Sequence, residues 1–335
     1  MTKVLISGYY GFNNFGDETI LSVLCEHLKS IGTDITVLSS SPNSTADKLG
    51  VNSINSFNVK DIINAIKKTD YLISGGGSLL QDVTSLKSLI YYSFIIFLAQ
   101  IFRKKVIIFA QGIGPLNSII SKFVVLNLLK KCEYITVRDE ESQKFLELNK
   151  INSQLVVDPV FSLELAPHNC EGFIGIQLRD FKNVTDDFLM HLAGMIEKYF
   201  YGKNIKLISV HDSLDYPVLN KFSKILAAKN IQFSIVDNLE SKEVIDLISK
   251  LDTLIAMRFH CILIGLKTKV KTLAINYDKK VEILANDFNL PMIDLQNFEK
   301  YNEQFGKLSK IDCEECFSIC KTKNFDWNKI DSFLT

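Results

Sequence analysis

The sequence lacks an excess of charge of either sign, since 38 Lys and Arg residues balance 38 Asp and Glu residues. A chain that binds nucleic acid through its phosphates usually shows a basic excess, so we predict no nucleic-acid partner. It also lacks the composition of a disordered or fibrous chain, because 47% hydrophobic and 23% charged residues are typical of globular proteins. A length of 335 residues predicts about two domains.

Cysteine is present, but without the regular spacing of a disulfide framework. Seven cysteines in a long chain with no N-terminal signal segment are typical of a reduced, cytoplasmic protein. Three of them, Cys313, Cys316 and Cys320, have a spacing that suits zinc or iron–sulfur ligation. No fourth cysteine or nearby histidine completes a ligand set, so we predict no metal site.

The uncharged run 88–102 is too short to cross a bilayer. Fifteen helical residues reach about 22 Å, whereas the hydrocarbon core is about 30 Å thick. We therefore predict a buried helix that crosses over between two strands. Because Arg103, Lys104 and Lys105 follow the run, peripheral contact with the inner membrane face stays open as an alternative.

Arginine is scarce, with four residues against 34 lysines. Its planar fork suits bidentate recognition of anions, so the places where it occurs are informative. Arg138, Arg179 and Arg258 each follow a predicted strand. A surface ion pair with the next residue, Asp139 or Asp180, is the simpler explanation for the first two. Three arginines at strand ends nevertheless favour an anion site.

Short apolar runs alternate with amphipathic stretches along the chain, a pattern typical of parallel strands joined by helices. We predict two series of strands, the first ending near residue 157 and the second beginning near residue 173: 3–7, 34–39, 71–74, 106–110, 133–137 and 154–157, then 173–178, 205–210, 231–236, 253–256 and 272–275. The segment between them has two prolines and weak periodicity. We predict an α/β fold with two Rossmann-like, doubly wound domains, 1–165 and 166–335, facing a cleft. Ligands of such sheets bind beyond the carboxyl ends of the strands.

Two glycine-containing loops follow predicted strands of the first domain, GYYGFNNFGDE and SGGGSLLQD. Glycine lets the backbone approach a ligand closely, and consecutive N–H groups can line a concavity. Neither loop has the spacing of a nucleotide fingerprint. Helix capping and a tight turn are the simpler alternatives. An anion or a sugar hydroxyl could bind there, and the candidate binding residues are Asn13, Asn14, Asp17, Gly76, Gly77, Ser78, Gln81 and Asp82.

In the second domain, the segment AMRFHCILIG places Arg258 and His260 where a strand meets an apolar helix. A helix N-terminus favours anions. His211 follows another predicted strand and is a second candidate for ligand contact, as is Arg179. Lys280 follows the predicted strand that comes after AMRFHCILIG in the chain, and it is a candidate partner for an anion.

These motifs, in this order and spacing, resemble those of the polysaccharide pyruvyl transferases. The resemblance runs from residue 3 to about residue 285 and includes AQGIGPL, TVRDEES, DPVF and NYDKKV. It implies a GT-B-like pair of Rossmann domains. It also implies an enzyme that transfers the carboxyethylidene unit of phosphoenolpyruvate onto two hydroxyls of one sugar and releases phosphate.

The resemblance carries roles onto individual residues. Arg138 matches the family's first-domain arginine that engages phosphoenolpyruvate, and Arg258 and His260 match its Arg-x-His pair. Lys280 matches the family's lysine, although Lys279 stands where proline is usual. No cofactor is implied beyond phosphoenolpyruvate as donor substrate. The acceptor is a sugar of a cell-wall or surface polysaccharide precursor, often lipid-linked in this family.

We expect His260 to be the general acid, since histidine is the side-chain type best suited to proton transfer near neutral pH. Asp17 and Asp82 are candidates for the base. Two other functions stay open. A nucleotide-sugar glycosyltransferase uses the same GT-B architecture, and a non-catalytic polysaccharide-binding protein could keep the fold without the reaction.

Overall fold

The computed structural model describes residues 1–83, 85–165 and 169–335. It divides the chain into two compact units. Unit 1 comprises Met1–Ser162 and Asn324–Thr335, and unit 2 comprises Leu163–Lys323. The predicted boundary between residues 165 and 166 adjoins residues 166–168, which lie outside the described residues.

The strands of unit 1 are β1 (Lys3–Ser7), β2 (Asp34–Ser39), β3 (Asn52–Asn55), β4 (Tyr71–Gly75), β5 (Lys105–Gln111), β6 (Tyr134–Val137) and β7 (Gln154–Leu155). Among the described residues they form one parallel sheet in the order β3-β2-β1-β4-β5-β6-β7. Its central strands are buried on both faces, which explains why they appear in the sequence as continuous apolar runs. The helices that follow them are α1 (Phe15–Ser30), α2 (Pro42–Leu49), α3 (Val59–Lys68), α4 (Leu86–Ile101), α5 (Ile119–Leu129) and α6 (Glu140–Leu148).

Unit 2 repeats this architecture with β8 (Phe173–Gln177), β9 (Ile205–Ile208), β10 (Phe233–Val236), β11 (Leu251–Ala256), β12 (Lys271–Asn276) and β13 (Met292–Asp294). These strands form a parallel sheet in the order β10-β9-β8-β11-β12-β13. The helices are α7 (Asp186–Tyr199), α8 (Asp212–Ala228), α9 (Ser241–Ser249), α10 (Phe259–Lys267), α11 (Lys279–Asp287), α12 (Tyr301–Lys307) and α13 (Cys313–Thr322).

Every strand that the sequence predicts overlaps an observed strand. The prediction omitted β3 and β13, which are short strands at sheet edges. The residues of β3 are NSIN, and a polar edge strand lacks the apolar run by which central strands are recognised.

The last residues of the chain belong to unit 1, whereas the sequence analysis placed them in the second domain. They form α14 (Asn328–Leu334) and the segment before it. Phe325 and Trp327 pack against Phe109 of β5, with ring centroids 5.0 and 5.5 Å away. The Trp327 ring also stacks on His27 of α1 at 3.9 Å. These aromatic contacts attach residues 324–335 to β5 and α1 of unit 1.

Helix α4 differs from its prediction as a buried helix. It does cross over from β4 to β5, and residues such as Leu89, Ile95 and Ile96 are buried in the core. Its opposite face is apolar but exposed. Within the described ranges, every helix falls short of the length and apolarity that a membrane crossing demands. The exposed residues on α4 are Leu86, Ile90, Phe94, Phe97 and Ile101.

Candidate active site

Each sheet reverses its strand order once, and the loops at that point are where doubly wound folds bind ligands. In unit 1 the reversal lies between β1 and β4, and in unit 2 between β8 and β11. Apart from Arg138, which follows β6, the predicted site residues follow these strands or their direct neighbours in the sheet. Because carboxyl ends of parallel strands meet at one edge, each unit gathers its own candidates at one edge of its sheet.

The loop after β1 is organised by Asn14, which is the N-cap residue of α1. Its side-chain amide donates a hydrogen bond to Oδ2 of Asp17 at 2.6 Å. Asp17 lies in the first turn of α1. The simpler explanation, that Asp17 caps this helix, is therefore wrong. Asn13, which is exposed, has a φ of 54°, a left-handed conformation that asparagine tolerates.

The loop after β4 passes directly over Asp17. Gly76 and Gly77 have φ angles of 73° and 69°. A Cβ atom on Gly77 would lie 2.7 Å from Oδ1 of Asp17, so only glycine allows this close approach. Ser78 follows and is half-buried. The structure thus brings the two predicted loops together at Asp17.

Gln81 and Asp82 make local contacts that hold this loop. Oε1 of Gln81, which is buried, accepts from the backbone N–H of Val83 at 2.7 Å. The two carboxylate oxygens of Asp82 accept from the N–H groups of Asn117 and Ser118, each at 2.8 Å. These bonds lower the pKa of Asp82. A more acidic carboxyl group is a weaker base, which argues against Asp82 in that role.

Glu18 is a residue of this site that the sequence analysis did not single out. Its Oε1 accepts from the backbone N–H of Gly11 at 2.7 Å. Burial raises the pKa of Glu18 to about 7, and the neighbouring Asp17 adds to the rise while the bond from Gly11 opposes it. Glu18 stands inside the GYYGFNNFGDE motif, but its burial becomes visible only once the loop is folded.

Arg138 follows β6 and pairs with a residue that is distant in sequence. Its Nη1 donates to Oδ2 of Asp158 at 2.9 Å, and the two side chains are only 13% and 3% exposed. Asp139, the partner in the simpler explanation, instead accepts from the N–H of Ser142 and caps α6. Nε of Arg138 is buried without a hydrogen-bond partner among the residues described. Arg138 is therefore a fixed cation with one unsatisfied donor.

In unit 2, Arg258 is held by a buried carboxylate. Its Nη2 lies 2.5 Å from Oδ1 of Asp215, and its Nε lies 3.1 Å from both oxygens. Asp215 is fully buried, and the Arg258 side chain is 12% exposed. Burial by itself would lower the pKa of Arg258, but Asp215 outweighs this effect and raises it. The guanidinium is thus kept charged in a fixed orientation.

Asp215 is itself fixed by the ends of two neighbouring strands. Its Oδ2 accepts from the backbone N–H groups of Val210 and His211, each at 3.1 Å, and from Nε2 of Gln177 at 3.2 Å. Oε1 of Gln177 accepts from the backbone N–H of Arg258 at 2.8 Å. The sequence analysis missed Asp215 and Gln177, because a carboxylate inside α8 and a glutamine at the end of β8 carry no local signal.

Arg179 lies beside the same cluster. Its Nη1 donates to the hydroxyl of Tyr277 at 3.4 Å, and its guanidinium carbon lies 5.5 Å from the centre of that ring. Nε of Arg179 is buried and finds no partner within the described chain. The pKa of His211 is lowered by burial, by Arg258 and more weakly by Arg179, against the influence of Asp215. The structure therefore brings Arg179, Arg258 and His211 together.

His260 and Lys280 stand at the same edge of the second sheet, on two neighbouring helices. His260 lies in the first turn of α10, whose N-cap is Arg258, and it is half-buried. Lys280 lies in the first turn of α11 and is half-buried, whereas Lys279 is exposed. Of this pair, Lys280 is therefore the less exposed residue.

The three clustered cysteines lie on α13. Burial raises the pKa of Cys316 to about 11 and that of Cys320 to about 12, so both are neutral thiols at neutral pH. Among the described residues, no three His, Cys, Asp or Glu side chains are grouped so that they could hold a metal ion. The absence of a metal from the reaction stays a prediction.

A family model of the polysaccharide pyruvyl transferases matches residues 14–279. The chain belongs to this family. The matched region contains Asp17, the glycine-containing loop after β4, and Arg138 and Arg258 with their partners. The chain is accordingly a transferase of polysaccharide modification. No curated protein sequence matches it.

Several solved structures have the same fold. HepE from Anabaena, in complex with UDP and glucose, superposes with a TM-score of 0.66 at 8% identity and covers 99% of this chain and 98% of its own. A glycosyltransferase from Rickettsia africae gives 0.65 at 17% identity, covering 99% and 96%. The UDP-GlcNAc 2-epimerase of Methanocaldococcus jannaschii gives 0.63 at 13%, covering 97% and 95%. At such identities the likeness shows the fold alone, and it confirms the predicted GT-B-like pair of Rossmann-like domains.

Proposed function

We propose that this pyruvyl transferase forms a pyruvate ketal on a sugar of a cell-wall or surface polysaccharide precursor, with phosphoenolpyruvate as donor and phosphate as product. The observation that carries the proposal is the cationic cluster of unit 2. Arg179 and Arg258 lie at the switch point of a doubly wound sheet, and Arg258 is locked there by Asp215. The chain around them belongs to a family of pyruvyl transferases.

Phosphoenolpyruvate carries a carboxylate and a phosphate, and two anionic groups must be matched by fixed cations if they are to leave water. Arg179 and Arg258 offer planar donors whose orientation is set by Tyr277 and Asp215 before any ligand binds. Preorganised donors cost little to reorganise during the reaction. Lys280, in the first turn of α11, supplies a further positive charge for the departing phosphate.

His260 is proposed as the general acid. It delivers a proton to the methylene carbon of the donor, so that C2 becomes an oxocarbenium-like centre that one sugar hydroxyl attacks. Phosphate then leaves with the electron pair of its C–O bond, and a second hydroxyl of the same sugar closes the ketal. Each hydroxyl releases one proton; one replaces the proton that His260 gave to the new methyl group, and the other leaves with the released phosphate. The cationic side chains balance the charge, so the proposed chemistry requires no metal and no cofactor.

Unit 1 is proposed to bind the sugar and to supply the base. Asp17 is proposed as the base because the glycine loop after β4 passes close to its Oδ1. Asp82 is less suitable, because its carboxylate accepts hydrogen bonds that lower its pKa. Asn13, Asn14 and Ser78 offer groups for hydroxyl recognition. Arg138, whose Nε is buried without a partner among the described residues, is proposed to contact the donor.

The experiment is steady-state kinetics with phosphoenolpyruvate and a panel of nitrophenyl and lipid-linked sugars, following phosphate release and the gain of one carboxyethylidene unit by mass spectrometry. His260→Asn should lower kcat by roughly 10²- to 10⁴-fold with little change in the donor KM. Arg258→Lys and Arg138→Lys should raise the donor KM, because an ammonium group cannot donate the two parallel hydrogen bonds that a planar guanidinium donates. His191→Asn is the matched control, since His191 is exposed on α7.

Near wild-type turnover of His260→Asn together with an unchanged donor KM of Arg258→Lys would remove this mechanism. Calorimetry with phosphoenolpyruvate and with nucleotide sugars separates the alternatives. Binding of a nucleotide sugar but not of phosphoenolpyruvate would identify a glycosyltransferase. Binding of a polysaccharide without turnover of either donor would identify a non-catalytic protein.

A further inference from the structure

An apolar surface on α4 and α5 is left uncovered in unit 1. The two helices pack on each other, and Nε2 of Gln100 on α4 donates to the carbonyl of Leu128 on α5 at 2.8 Å. Each helix buries one apolar face in the core and turns a second apolar face outward. We call the outward residues the α4–α5 face: Leu86, Ile90, Phe94, Phe97, Ile101, Ile119, Ile120, Phe123 and Val124.

The exposure of this face is large for apolar side chains. Ile119, Ile120 and Phe123 on α5 are 86%, 75% and 69% exposed, and Ile90 on α4 is 59% exposed. Single exposed apolar residues are ordinary, but a contiguous group on two packed helices marks an interaction surface. A helix that is apolar all round is normally buried on both sides, so the outer side of α4 lacks its covering.

The charge around the face is predominantly positive. Residues 83–132 contain seven Lys and Arg residues and no Asp or Glu, although the whole chain is neutral. Helix α3, which packs beside α4, adds Lys60, Lys67 and Lys68 against the single acid Asp61. Lys87 and Lys122 are exposed within the helices of the face itself. Basic residues flanking exposed apolar side chains are typical of helices that lie in an anionic lipid surface.

We propose that the α4–α5 face docks on the surface of a bilayer that contains anionic phospholipid. The apolar side chains enter the boundary between headgroups and acyl chains, and the basic residues contact lipid phosphates. A second copy of the chain fits the surface poorly, because it would bring an equal positive charge against the first. Helix α4 lies on the membrane and does not cross it.

The loops of the candidate site are tied to this face. Asp82, in the loop after β4, accepts from the backbone N–H groups of Asn117 and Ser118, directly before Ile119 and Ile120. Leu80 of the same loop bridges to Ile113. The loop proposed to bind sugar and the start of α5 are therefore one connected structure. Docking would hold the sugar-binding loop beside the lipid surface, where a membrane-attached acceptor would be presented.

The test is co-sedimentation of the full chain with vesicles, in the absence of donor and sugar. One set of vesicles is phosphatidylcholine alone, and the other is phosphatidylcholine and phosphatidylglycerol in equal parts. The wild type should pellet with the anionic vesicles and remain in solution with the neutral ones, and added salt should weaken the binding.

Two pairs of substitutions separate the apolar and charged contributions. Ile120→Ser with Phe123→Ser should lower the partition coefficient at least about tenfold. Its matched control is Met190→Ser with Tyr201→Ser, two apolar residues of unit 2 that are 54% and 88% exposed. The control should bind like the wild type.

For the charges, Lys87→Glu with Lys122→Glu should lower binding to anionic vesicles by about 30-fold or more at low salt. Lys224→Glu with Lys242→Glu, at exposed positions of unit 2, should change it far less. All changed side chains are exposed, so thermal melting should match that of the wild type. If Ile120→Ser with Phe123→Ser nevertheless unfolds, comparison of the wild type with Lys87→Glu, Lys122→Glu still tests the proposal.

Absence of wild-type binding to the anionic vesicles would overturn the proposal, as would equal binding of wild type and the glutamate pair. A concentration-dependent dimer that Ile120→Ser with Phe123→Ser dissolves would assign the face to a second copy instead. Because the assay contains no substrate, its result is independent of the proposed reaction. A transferase without vesicle binding and a vesicle-binding protein without transferase activity are distinguishable outcomes.

Discussion

Replacing Asp215 with asparagine should destabilise unit 2 although the substitution changes almost no volume. The carboxylate is fully buried and receives five donors, two from Arg258, two from the backbone and one from Gln177. Asparagine keeps one oxygen that can still accept the backbone N–H groups. It removes the negative charge, so the Arg258 guanidinium loses its counterion while it remains in a nearly dry site.

The magnitude follows from the burial of both partners. Breaking a buried ion pair by removing one partner costs about 3–5 kcal/mol of unfolding free energy. Solvent screens this pair little, since Arg258 is 12% exposed and Asp215 is not exposed. Because asparagine retains the backbone bonds, we expect a loss near the lower end, about 3 kcal/mol.

The assay is urea unfolding at neutral pH, followed by far-ultraviolet circular dichroism, with the slope against urea checked for constancy. Glu197→Gln is the matched control. Glu197 pairs with Lys229 at 2.5 Å, but their side chains are 44% and 29% exposed, so the loss should stay below about 1 kcal/mol. Equal losses in the two variants would refute the argument that burial makes Asp215 the stronger partner.

Two further changes test the site of unit 1. Glu18→Gln should raise the melting temperature at pH 8 and raise it much less at pH 5. The pKa of Glu18 is about 7 in the folded protein against an ordinary value of 4.5, so its stabilising contribution is present below pH 4.5 and is lost as the pH rises through 7. A gain at pH 5 as large as that at pH 8 would contradict this. Gly77→Ala should lower the free energy of unfolding by about 1–2 kcal/mol and reduce turnover, because the φ of Gly77 is +69° and a Cβ there would lie 2.7 Å from Oδ1 of Asp17. Unchanged urea unfolding would show that the loop adapts to the added methyl group without strain.

The sequence predicted the parts of the fold that local pattern determines. Central strands buried on both faces appear as apolar runs, so β1, β4, β8 and β11 were identified from the sequence. Arg179 and Arg258 were found because arginine is rare in this chain and both follow strands. The polar edge strand β3 was missed, because such strands are formed by pairing with a neighbour and carry little apolar pattern.

What escaped prediction depends on contacts that are distant in sequence. Asp215 lies 43 residues before its partner Arg258, and Asp158 lies 20 residues after Arg138. For Arg138 the adjacent acid Asp139 was the simpler partner, and the fold supplied Asp158 instead. The outward face of α4 was also missed, since an apolar run does not indicate which of its sides the protein covers.

The return of the chain end to unit 1 has a consequence for the order in which the protein matures. Thr2 donates to the carbonyl of Leu334 at 2.7 Å, and Trp327 packs on His27 and Phe109. The ribosome makes these last residues only after all of unit 2. During synthesis unit 1 therefore emerges first but stays incomplete. The aromatic side chains around Phe109 remain uncovered until residues 324–335 have been made after unit 2.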